Sequence, residues 1–218
     1  ALTDKQIGPH ALNENGYICD WLIGGPFPLQ SKRPKSIGRD TDFLAKDGGE
    51  SKIKPSTTMR YKAFFPVSKT SRQVGWFPYN VEPQESYWQF IVDLGNVFTD
   101  QYDLPTKQNK VGYAFCNIFS PEAVDAKLAV SSDDGFKAWL NGELIADEHV
   151  YRVWSKDANV LDVKLNKGFN SLLLKIDSDM GGHQLSARLL DPKTQNPLEN
   201  VTIFLAKPKV KITSANRD

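Results

Sequence analysis

The stretch that most constrains this chain runs over residues 126–147 and reads AKLAVSSDDGFKAWLNGELIAD. Two short apolar runs, 126–130 and 136–140, flank Ser131-Ser132-Asp133-Asp134-Gly135. Aspartate side chains bond amides a residue or two on, and glycine accepts positive φ, so this pentapeptide is a turn. The second run ends in Asn141-Gly142, the strongest short-range hairpin signal a sequence carries. A return strand starts at Glu143. The spacing predicts three successive antiparallel strands joined by tight turns.

The rest of the chain repeats this grammar. Residues 1–16 are polar and aperiodic and read as an N-terminal arm. Strands are expected over 17–23, 57–65, 86–94, 110–119, 160–165, 169–176, 184–190 and 201–205. Residues 74–79 form an aromatic loop or short strand. Gly24-Gly25-Pro26-Phe27-Pro28 ends the first strand, because proline donates nothing to a ladder. Residues 30–56 are a long polar excursion with one short helix over 40–46, capped by Asp40 or Thr41. His183 sits in a flexible glycine tip, and residues 207–218 form a basic tail holding Lys207, Lys209, Lys211 and Arg217. About ten short strands with turn signals every ~8–12 residues indicate an all-β sandwich or barrel. No repeat or linker divides the 218 residues, so a single domain is expected.

Charge and motif content exclude several functions. The chain carries 27 basic and 26 acidic residues, net +1, without the basic excess a nucleic-acid binder needs. No run of ~18 apolar residues exists, so no membrane span is expected. The start at Ala1 is compatible with a processed, exported chain. Cys19 and Cys116 both lie in apolar runs, and two readings stand, a disulfide in an oxidising compartment or two buried thiols. The three histidines, His10, His149 and His183, are far apart and form no zinc-hydrolase pattern. The nucleophile elbow of serine hydrolases and both phosphate-cradling glycine motifs are absent.

Three segments carry a resemblance. Residues 131–145, SSDDGFKAWLNGELI, resemble the Ser-Asp-Asp-Gly … Trp … Asn-Gly signature of PA14-like and galactose-binding-like β-sandwich modules. Residues 165–175, LNKGFNSLLLK, resemble the Lys-Gly-aromatic-Asn strand pair of the same modules, and 20–28, DWLIGGPFP, resemble their opening strand. Gly48-Gly49-Glu50 matches a segment that these modules place against the sandwich. The resemblance implies a jelly-roll β-sandwich, mostly antiparallel. It also implies a non-catalytic carbohydrate-binding or accessory role in an exported polysaccharide-processing system, secreted, periplasmic or on the cell surface. The implied partners are a polysaccharide or oligosaccharide and a catalytic domain or enzyme. In some PA14-type lectins adjacent aspartates at the matching turn hold Ca²⁺, which assigns that ion to Asp133 and Asp134. The competing reading is structural, because calcium takes 6–8 oxygens and two carboxylates supply few of them. No cofactor is otherwise required.

Sugar recognition needs flat rings beside fixed polar groups. The candidates are Trp76, Tyr79, Tyr151, Arg152, Trp154 and His183, whereas Trp21, Trp88 and Trp139 lie in strand runs and read as core. Each candidate has a packing alternative. Two other functions remain open. Tyr151 and Arg152 beside His149 fit a polysaccharide lyase, and a glycosidase needs a carboxylate pair that no spacing singles out. A purely structural or docking domain of a larger secreted enzyme is the third.

Overall fold

The computed structural model describes residues 1–32, 35–66, 68–81, 90–104 and 107–208. Residues 86–89 of the strand expected over 86–94, Trp88 included, and the tail from residue 209 onward lie outside the described residues.

The chain begins with a one-turn helix α1 (Asp4–Ile7), whose capping box joins Thr3 and Gln6. It continues through β1 (Asp20–Pro28), β2 (Ser31–Lys32), β3 (Lys35–Ser36), α2 (Ile37–Asp40), β4 (Arg60–Phe65), β5 (Thr70–Asn80) and β6 (Val92–Asp93). Then come α3 (Leu94–Tyr102), β7 (Lys110–Ser120), β8 (Val124–Asp133), β9 (Phe136–Leu140) and β10 (Glu143–Glu148). The last strands are β11 (Asn159–Leu165), β12 (Gly168–Ser178), β13 (Gln184–Leu190) and β14 (Thr202–Phe204). The large sheet runs β10-β9-β12-β7-β1-β5-β4, and β14 continues beside β7 where β1 leaves it. The small sheet runs β11-β8-β13-β6. Among the described residues every strand pairing is antiparallel, and the molecule is an all-β sandwich.

Three expectations change. Strands β8 and β9 do not pair with each other. The Asp133-Asp134-Gly135 corner carries the chain from the small sheet to the large one. It does so because the Asp134 N–H donates to Asp177 O (3.0 Å) and Asp177 N–H donates back to Gly135 O (3.1 Å), which ties the corner to β12. The corner at 166–168 likewise separates β11 from β12 rather than forming a hairpin. Buried Asn170 fastens it, with Oδ1 accepting the Asn166 N–H and Nδ2 donating to Asn166 O, each at 2.8 Å. Only β9 and β10 form the predicted tight hairpin, with Asn141 at φ 54° and Gly142 at φ 85°. Second, the helix expected over 40–46 is displaced to Ile37–Asp40, followed by a 3₁₀ turn at Ala45–Asp47. Third, a nine-residue helix, α3, starts where a strand was expected. Asp93 caps it by accepting the Asn96 N–H (3.0 Å), and Leu94, Val97 and Phe98 form its buried stripe.

Both faces of the large sheet are covered. Along β12, Leu172, Leu174 and Ile176 point one way, while Leu173, Lys175 and Asp177 point the other. The first set joins the core between the sheets. The second set lies under the excursion, which folds back across the sheet instead of looping into solvent. There Phe27 stacks on Phe43 (4.5 Å between centroids) and meets Tyr61 and Tyr113 edge-on (5.5 and 5.8 Å). Glu50 is the polar pin. Its Oε1 accepts from Tyr113 OH (2.6 Å) and from Lys175 Nζ (2.8 Å), while Nζ also donates to Thr41 O (2.7 Å). Gly49, at φ 82°, is required at this bend, since a Cβ there would sit 2.6 Å from Asp42 Oδ2. A second pin joins buried Arg39 to Asp177 (2.6 Å) and to Asp147. Cys19 and Cys116 are free thiols, so of the two readings the unbonded one holds.

Removing one partner of a buried ion pair strands the other charge, which costs about 3–5 kcal/mol. Glu50→Ala is therefore expected to lower the urea unfolding free energy by about 3 kcal/mol. The double variant Lys175→Met/Glu50→Gln leaves no stranded charge and is expected to recover most of that loss. Equilibrium unfolding followed by tryptophan fluorescence measures both.

Candidate functional site

Register assembles the site. Strand pairing sets Asp133 opposite Gln184 and Gln184 opposite Asp93, so these three share one row on the outward face of the small sheet. The next outward row pairs Ser131 with Ser186. The segment after β10 lies across these rows. Trp154 Nε1 donates to Ser186 Oγ (3.0 Å), and the Ala158 N–H donates to Ser131 Oγ (3.3 Å). Arg152 is held at two atoms, with Nε donating to Ser132 O (3.2 Å) and Nη2 to Ser132 Oγ (2.9 Å). Its guanidinium lies 6.0 Å from the Phe136 ring centroid.

Asp134 works as a staple. Its Oδ1 accepts the Arg152 N–H (3.1 Å) and its Oδ2 accepts the Asp179 N–H (2.9 Å). One carboxylate thereby fastens the loop after β10 and the loop after β12 to the same corner. Tyr151, Val153 and Met180 stand exposed on these two loops. Asp133 is enclosed: burial, then the negative charges of Asp134 and Asp93, push its carboxyl up from the ordinary 3.8 to about 6. The close approach of Gly182 contributes, since a Cβ there would lie 2.8 Å from Asp133 Oδ2. Beside Asp179 opens a pocket of about 290 Å³, with Pro28, Phe65 and Leu104 as its apolar wall and Ser31, Ser68 and Lys110 among its polar groups. Burial pushes the Lys110 ammonium down to about 8.

Calcium fits these residues poorly. Among the described residues no three Asp, Glu, His or Cys side chains are grouped to hold a metal. Both Asp134 oxygens already accept backbone N–H groups. Two side chains fall far short of the 6–8 oxygens calcium takes.

The structure brings Tyr151, Arg152, Trp154, Asp133 and Asp134 to one end of the sandwich. The other three candidates lie elsewhere. Trp76 is 3% exposed, because the excursion roofs its face of the large sheet and Gly24 gives its ring room. Its Nε1 reaches Tyr61 OH at 3.5 Å, so it is core and offers no platform. His183 is fully buried and not a flexible tip. Its Nε2 lies 3.1 Å from Ile176 O, its ring lies 6.0 Å from Phe98, and burial pushes its imidazole down to about 4. Tyr79 is half-buried at the opposite end, lining a different cleft. Sequence reasoning missed Asp93, Gln184, Ser186, Asp179 and Lys110. No local motif marks the first three, which meet only through cross-strand register.

No known family model matches the sequence, and no curated protein does. Among solved structures, the chain is similar to the PA14 domain of the MpAFP antifreeze protein, at 12% identity and TM-score 0.42 over 87% of this chain and 93% of that one. A family 35 carbohydrate binding module from Clostridium thermocellum matches at 17% identity and TM-score 0.29, over 37% of this chain and 71% of the other. A β-glucosidase from Kluyveromyces marxianus matches at 12% identity and TM-score 0.39, over 85% of this chain but only 20% of that enzyme.

Asp133 and His183 set opposing pH slopes. Between 3.8 and about 6 folded Asp133 keeps a proton that the unfolded chain has lost, so its contribution falls as pH rises. Between about 4 and 6.5 the unfolded chain protonates His183 while the folded chain does not, so that contribution rises with pH. Asp133→Asn removes only the first slope. The variant is expected to exceed the parent at pH 7 by about 1 kcal/mol and to gain stability more steeply from pH 4 upward. Urea midpoints across that range measure it.

Proposed function

We propose that this chain is a non-catalytic glycan-binding accessory module of an exported polysaccharide-processing system, and that it grips its ligand at the Asp133–Asp134 end. One observation carries the reading. Tyr151, Arg152 and Trp154 come from a connection without regular structure, yet Arg152 is fixed onto the acidic corner through Ser132 and Asp134, Trp154 onto the neighbouring strand through Ser186, and Tyr151 stands exposed beside them. A ring on an exposed loop, a half-exposed indole and an oriented guanidinium match what a sugar presents, apolar C–H faces edged by hydroxyls. In this reading Tyr151 is the stacking face, Trp154 flanks it, and Arg152 donates to hydroxyls. Asp134 positions Arg152 through its main chain. The motif resemblance of residues 131–145 and 165–175 supports the same class.

Affinity electrophoresis through gels containing plant and algal polysaccharides tests the proposal. The parent protein is expected to be retarded by at least one of them. Tyr151→Ala and Trp154→Ala are each expected to weaken that retardation about tenfold, the ~1.4 kcal/mol that one aromatic contact supplies. Free migration through every polysaccharide, together with release of reducing ends or unsaturated products, would replace the binding reading with an enzymatic one. Calcium titration is the companion measurement. Calcium heat and glycan retardation lost together in Asp133→Ala/Asp134→Ala would turn the staple into an ion site.

A further inference from the structure

We propose that the opposite end of the sandwich holds a second, independent oligosaccharide site, selective for neutral sugars. The strands run antiparallel, so the start of β1 and the end of β5 lie at the end remote from the Asp133–Asp134 corner, which bonds to the finish of β12. A cleft of about 820 Å³ opens there, within the size range of ligand-binding clefts.

Its two walls come from distant parts of the chain. The N-terminal arm is not a free extension. His10 N–H donates to Ile203 O (2.9 Å), Ile203 N–H donates to His10 O (2.8 Å), and Leu205 N–H donates to Ile7 O (2.9 Å), which clamps the arm along β14. This wall presents Lys5, Gln6, Pro9, His10 and Leu205, and the facing wall presents Asp20, Pro78, Tyr79 and Asn80. The walls are joined at their polar centre. Asp20 Oδ1 accepts from Asn80 Nδ2 (2.8 Å) and lies 3.5 Å from His10 Nδ1. The arm is in turn anchored by His10 Nε2, 3.1 Å from Gln6 O.

The chemistry of the lining selects the ligand. Tyr79, Pro78, Pro9 and Leu205 give apolar surfaces for sugar C–H faces. The Asp20–Asn80 pair offers acceptor and donor atoms side by side, the arrangement that reads two neighbouring hydroxyls. Of the charged groups in the lining, Lys5 stands exposed and screened by solvent, whereas Asp20 is 13% exposed at the centre, so its carboxylate sets the local field, repels a uronate and leaves neutral pyranoses as the ligand. Because the arm and β5 are already fixed by backbone bonds, little ordering is lost on binding. Two sites facing opposite ways would let one module bridge two chains of a glycan matrix, where avidity exceeds either single affinity.

The experiment titrates ¹⁵N-labelled protein with cellohexaose, xylohexaose, mannohexaose and oligogalacturonate, reading amide signals at both ends. Saturable shifts at His10, Asp20, Tyr79 and Asn80 are expected with at least one neutral hexamer and not with oligogalacturonate. Tyr79→Ala and the isosteric Asp20→Asn are each expected to weaken those shifts at least tenfold. The Trp21 indole signal verifies that each variant is folded. Trp154→Ala leaves the cleft shifts unchanged, so loss of the first site and loss of this one are read separately. No cleft shift with any neutral hexamer, or shifts that survive both cleft variants, overturns the proposal. Stronger shifts with oligogalacturonate overturn the selectivity.

Discussion

Lys175 lies on a strand buried on both faces, so its ammonium has no route to water and a partner must come to it. Glu50 is that partner, carried by a segment more than a hundred residues away in sequence. Burial pushes the ammonium pKa down, and Glu50 opposes that shift by favouring the charged form. The rest of the architecture follows from this contact. To deliver Glu50, the polar excursion must lie flat across the large sheet, where Phe43 and Leu44 close over Phe27, Tyr61 and Tyr113. The sheet is then the middle of three layers. Trp76, which would be an exposed ring on an open sheet, becomes core.

The functional end depends on the same economy of polar groups. The Asp134 carboxylate bonds two loop amides and the neighbouring backbone grips β12, so two loops and two sheets meet at one residue. Asp133, one position earlier, accepts from the Trp154 backbone, yet burial and the charges of Asp134 and Asp93 outweigh that bond and it holds its proton to higher pH. Adjacent, chemically identical side chains thus differ in role because Asp134 gathers the amides of two loops, whereas burial and neighbouring carboxylates dominate at Asp133. Ordered loops are what a binding surface needs, since a ligand then meets rings and donors already in place. The opposite end obtains the same order by clamping the arm to β14.

Much of this architecture was legible beforehand. Alternation in 160–165, the continuous apolar run 111–116 and the Asn141-Gly142 turn each encode a local preference, and each formed as read. The helix α3 was also readable. Asp93 before Leu94, with Val97 and Phe98 three and four residues on, is a cap followed by a helical stripe, masked by the β-prone residues ahead of it. The corners were not readable in the same way. A Ser-Asp-Asp-Gly turn has identical local chemistry whether it closes a hairpin or steps between layers. What separates the cases is the strand that its backbone bonds, here β12 and not β8.

By itself the sequence determined the class of fold, the positions of most strands, and the pairing of rings with charges in residues 149–154. These rest on periodicity, propensity and turn geometry, which act over a few residues. Only the tertiary structure decided which rings reach solvent, that His183 and Trp76 are core, and that Asp93, Asp133 and Gln184 share a row. It also decided that His10, Asp20 and Asn80 converge at the far end. Burial and cross-strand register are properties of segments brought together from across the chain, and no window of neighbouring residues contains them.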